Sequence, residues 1–93
     1  MKYDWIIGIC CTAADGVKIL KFHGTQNEVK TKLLSMVAED REKDTENWDF
    51  GCTSIDDVRS EYNGIGYELY AYGCYHDYHI DYTAKKFSHI ENA

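Results

Sequence analysis

Ninety-three residues make one domain of ordinary size and leave no room for a second core. With 44% hydrophobic and 28% charged residues, the chain has the mix of a folded globular protein rather than a disordered one. A formal net charge of −6 makes nucleic acid and anionic membranes poor direct partners.

The first predicted element is a hairpin. Trp5 to Cys11 and Val17 to His23 are rich in β-branched and aromatic residues and flank Asp15-Gly16, a strong two-residue turn signal. With that turn, Cys11 falls opposite Leu20 and Ile9 opposite Phe22. One face then carries Trp5, Ile7, Ile9, Cys11, Leu20 and Phe22, a core face. The other carries Ile6, Gly8, Cys10, Ile19, Lys21 and His23. The apolar run Trp5–Cys11 is too short for a bilayer span, which needs about 20 residues. Asp4 beside it and its hairpin partner argue against a signal peptide. A strand apolar on both sides belongs inside the sheet.

A helix follows. Thr25-Gln26-Asn27-Glu28 is a capping box, in which the Thr25 hydroxyl and the Glu28 carboxylate each accept from the other residue's amide. Val29, Leu33, Met36 and Val37 recur at helical spacing, with Leu34 beside them, and the end is expected near Asp44. From Thr45 to Gly66 the pattern is broken. Trp48 and Phe50 are apolar anchors in a polar stretch. Ser54 can cap a short second helix, on which Ile55, Val58 and Tyr62 share a face, stopped by Asn63-Gly64.

The last element is a second hairpin, Tyr67 to Cys74 and Tyr78 to Lys86, around His76-Asp77. Pairing Cys74 with His79 sets Gly73 against Ile80, Ala71 against Tyr82 and Leu69 against Ala84, small residues against large ones. The opposite face then pairs Tyr72 with Asp81, Tyr70 with Thr83 and Glu68 with Lys85. A slip of one residue would break both sets.

Residues 1–93 are therefore expected to form a single α+β domain. Its centre is a four-stranded, mainly antiparallel sheet in the order hairpin, helix, hairpin, with the main helix on one face. A β-grasp wiring, with the first and last strands parallel in the middle, is one way to connect it, and such an analogy carries no function.

Chemistry is sparse. Cys74, His76 and His79, with Asp81 and Cys52 as further donors, are the best metal candidates, yet paired-knuckle spacing is absent. Cys74 and His79 could also form a thiol dyad with Asp81, but neither an oxyanion site nor a nucleophile elbow accompanies them. Gly64-Ile65-Gly66 lacks the strand and helix of a phosphate loop, so no cofactor is expected. Without an export signal the four cysteines are expected to be reduced thiols in the cytoplasm.

Two surfaces remain. Glu39, Asp40, Glu42, Asp44, Glu46, Asp49, Asp56, Asp57 and Glu61 stand against only Arg41, Lys43 and Arg59, so residues 39–61 hold the entire net negative charge. They could imitate the phosphates of a nucleic acid and block a protein that binds one. An ordinary solvated surface is the better account of them. The second surface is the sheet face opposite the helix, which carries Ile6, Ile19, Tyr70, Tyr72, His79 and Thr83. One helix cannot cover two faces. Either the 45–66 segment wraps over this one, or a protein partner or second copy does. The leading expectation is a non-enzymatic protein-interaction domain.

Overall fold

The computed structural model describes the backbone of residues 1–13, 16–49, 54–60 and 66–92, and the side-chain surroundings of all of these except 54–60, 66 and 67. The chain forms β1 (Tyr3–Cys11), β2 (Val17–Gly24), α1 (Gln26–Lys43), β3 (Ser54–Ser60), β4 (Gly66–Cys74), β5 (His79–Lys86) and a 3-10 turn at Phe87–His89. The fold is α+β, with the two expected hairpins joined as β2-β1-β5-β4 and a further strand, β3, added beside β4.

The C-terminal hairpin has the expected register throughout, from Glu68 opposite Lys85 to Cys74 opposite His79. The first hairpin does not. Leu20 faces Ile7 and Phe22 faces Trp5, a displacement of four residues along β1. The shift is even, so every residue keeps its face. The cause lies at the strand end, where Cys11 pairs with Ile80 and Thr12 is bound into β5. The Thr12 amide donates to the His79 carbonyl at 3.0 Å, and the His79 amide donates to the Thr12 hydroxyl at 3.1 Å. These bonds draw the chain toward β5 and lengthen the connection to β2. Gly16, at φ +84°, supplies the left-handed residue that returns it.

Two further expectations are corrected. Ser54–Ser60 is a strand paired antiparallel with β4, not a short helix. Ile55 and Val58 fit a helix face by spacing, but a helix that short is marginal alone, whereas β4 offers an edge to pair with. The first and last strands are neighbours in the middle, as a β-grasp requires, but they run antiparallel. The added strand reverses the direction in which the last hairpin meets β1.

The helix begins where expected. The Glu28 amide donates to the Thr25 hydroxyl at 3.1 Å, and the Thr25 amide to the Glu28 carboxylate at 2.8 Å. Asp44 is its C-cap, and Val29, Leu33, Met36 and Val37 are buried. Leu34 points outward. The helix rests chiefly on β4 and crosses from the β2 edge toward the β3 edge. Beneath it lie Trp5, Ile7, Leu69, Ala71, Ile80, Tyr82 and Ala84, the face named from sequence. Lys86 is buried in the same layer, its ammonium 3.6 Å from the centre of the Tyr3 ring.

Candidate functional site

Segment 47–49 lies on the helix side of the sheet. The His76 amide donates to the Asn47 carbonyl at 2.8 Å and the Asp49 amide to the Cys74 carbonyl at 2.7 Å, extending the β4 edge beyond β3. Trp48 is thereby laid over Gly73, on the helix side, where it is only 3% exposed. Its ring meets Tyr75 edge-on at 5.0 Å, and Tyr75 stacks on Tyr78 at 4.6 Å. Trp48 thus completes the core beneath the helix and leaves the opposite face alone. Phe50, its expected companion, lies outside the described residues.

The register sets the open face out in rows. Ile19, Gly8, Thr83 and Tyr70 form one row across four strands, and Val17, Cys10, Asp81 and Tyr72 form the next. Ile6 stands between Lys21 and Lys85 in a third. His79 continues past Asp81 on the same face. All six residues expected to bind a partner are therefore on one surface. Ile19 is 68% exposed, His79 is exposed, and Ile6, Tyr70, Tyr72 and Thr83 are half-buried. A Cβ placed at Gly8 would meet no described atom within 4 Å, so no described residue covers the centre of the face.

Its polar groups are organised. The Tyr70 hydroxyl donates to one carboxylate oxygen of Asp81, and His79 Nε2 lies 3.4 Å from the other. That hydrogen bond, with desolvation and the Asp81 charge, pushes the Tyr70 phenol up to about 12. Tyr70 and Tyr72 tilt toward each other with centres 5.9 Å apart. Asp81 thus holds Tyr70 by its hydroxyl, and the Tyr72 ring lies beside it.

The acidic set divides. Glu39, Glu42 and Glu46 are exposed, but Asp40 turns inward. The Tyr82 hydroxyl donates to its carboxylate and the Tyr75 hydroxyl to its carbonyl, pinning the end of α1 to the sheet. Burial, then the Asp40 bond, raises the Tyr82 phenol well above its ordinary range. Lys43 also binds Asp40 at 3.1 Å, Arg41 lies 3.4 Å from Glu42, and Asp44 accepts from Asn47 at 2.8 Å. Asp49 is half-buried. Side chains of Asp56 and Asp57, and all of Glu61, lie outside the described residues. Sequence reasoning missed the Asp40 anchor and the Trp48–Tyr75–Tyr78 cluster. The cluster's only early signal was a tryptophan in a polar stretch.

For the cysteines, Cys10 and Cys11 are free and on opposite faces. Cys74 is disulfide-bonded to a partner outside the described residues, which differs from the expectation of reduced thiols. That bond removes its sulfur from any dyad with His79. Among the described residues no three His, Cys, Asp or Glu side chains stand together as metal donors. Nor is any helix among them long and apolar enough to cross a membrane. No family model, curated protein or solved structure matches the chain.

Proposed function

We propose that this chain is a small protein-interaction domain without catalytic activity. Its working surface is the sheet face bearing Ile6, Ile19, Tyr70, Tyr72, His79 and Thr83, which takes a protein partner or a second copy. One observation carries the reading. Helix α1 and Trp48 both lie on one side of the sheet, and on the other no described atom comes within 4 Å of a Cβ placed at Gly8, in the middle of the face. Aromatic rings at half-exposed positions are typical of interface centres. Burying both tyrosines would supply several kcal/mol, at roughly 25 cal/mol per Å² of apolar area, before the costs of association.

The test is the double change Tyr70→Ser, Tyr72→Ser. It should weaken partner capture or self-association, read by light scattering and pull-down, and leave the monomer folded, with the midpoint lowered only by the lost Tyr70–Asp81 hydrogen bond. A monomer that unfolds outright would assign both rings to an internal core and defeat the reading. The cytoplasm is part of the proposal, supported by the two free cysteines and opposed by the Cys74 bridge. Thiol counting on protein isolated under rapid alkylation distinguishes the compartments, since a reducing one leaves every cysteine free.

A further inference from the structure

We infer that the outer edge of β2 is a docking site for an extended, acidic and partly apolar peptide, which adds to the sheet as a further strand. The sheet ends at β2, so alternate residues there aim their N–H and C=O groups away from β1. Beside this edge runs a groove between β2 and α1, lined by Phe22 from the strand and by Asn27, Glu28, Thr31, Lys32 and Ser35 from the helix. The helix wall is low, and its hydroxyls are satisfied within the helix. Thr31 donates to the Asn27 carbonyl at 3.0 Å and Ser35 to the Lys32 carbonyl at 2.8 Å. Side chains of an added strand would alternate between this groove and the open face, where Val17 and Ile19 are 58% and 68% exposed.

Charge selects the occupant. Lys18 and Lys21 project from opposite faces of β2, and Lys32 stands on the groove wall. None of the three is held in an ion pair among the described residues. Glu28, the acid of the groove, is already engaged with the Thr25 amide and Lys2. Free cations on an edge of a chain with net charge −6 call for carboxylates, and a second β2 edge would bring lysines instead. Single-stranded nucleic acid is anionic too, but it has no peptide N–H and C=O groups with which to continue a β ladder.

The probe is a short peptide of alternating valine and glutamate, titrated into the ¹⁵N-labelled full chain. Amide shifts should concentrate on Val17–Gly24 and on Thr31, Lys32 and Ser35, with affinity falling as salt rises. Methylating alternate backbone nitrogens of the probe, which removes ladder donors and leaves its charge unchanged, should weaken binding about tenfold or more. The double change Lys18→Glu, Lys21→Glu should do the same and let a valine–lysine peptide bind instead. Equal binding of both peptides by the unaltered chain would overturn the inference. So would shifts centred on Tyr70 and Tyr72, or equal binding of oligothymidylate. Concentration-dependent shifts on β2 without peptide would make a second copy the occupant and overturn it as well.

Discussion

Tyr70 keeps its proton far into alkali, because ionising it would set a phenolate against the Asp81 carboxylate that accepts its hydrogen bond. In a difference titration of the ultraviolet phenolate band against Tyr70→Phe, the missing ring should ionise at about 12 rather than at its ordinary 10.0. Asp81→Asn should bring it back toward the ordinary value. Its pKa is raised on folding, so the associated stability is complete below pH 10.0 and is lost as pH climbs toward about 12. Glu28 has the opposite sign. The Thr25 amide holds its carboxyl below the ordinary 4.5, so its contribution is present above that pH and disappears as the pH falls further. Thr25→Ala should cost about 1 kcal/mol at neutral pH by chemical denaturation, and Glu28→Gln, which removes the titrating group, should flatten that acid limb. An unchanged midpoint would mean that the box does not start the helix. The Thr25–Glu28 pair was legible in the sequence because its partners lie three residues apart. Asp40 was not, because its partners Tyr75 and Tyr82 lie 35 and 42 residues away and nothing local distinguishes it from its solvated neighbours.

Among elements, the C-terminal hairpin was readable because both of its faces constrain the register at once. Small residues meet large ones beneath the helix, and Glu68 meets Lys85 on the other side. The first hairpin lacked such a constraint. Its faces followed from alternation, but the displacement was settled by Thr12 and His79, from a strand 67 residues later. Trp48 shows the same limit, since its spacing marked an anchor without saying which side of the sheet receives it. Gly73 answers that. A Cβ there would sit 2.2 Å from Trp48 Cη2, so the tryptophan needs this position bare. Gly73→Ala should therefore cost about 1–3 kcal/mol and shift the Trp48 emission, measured against Trp48→Phe. A neutral substitution would show that the ring has room to retreat.

At the scale of the molecule, the α+β class and the one-sided helix followed from element order, while strand direction did not. One extra strand between helix and last hairpin decides whether β5 meets β1 parallel or antiparallel, and Ile55 and Val58 fit helix and strand alike. The central pairing also governs the order of assembly. β1 with β2, and β3 with β4 and β5, are each closed by short connections. The seam between the halves joins Trp5 to Lys86, almost the whole chain apart. Closing so long a loop costs entropy before any contact is gained, so the seam is expected to be the step that sets the folding rate. Until it zips, β1 and β5 each show a bare edge, and the interval when the chain most resembles an aggregation template is the one just before it is finished.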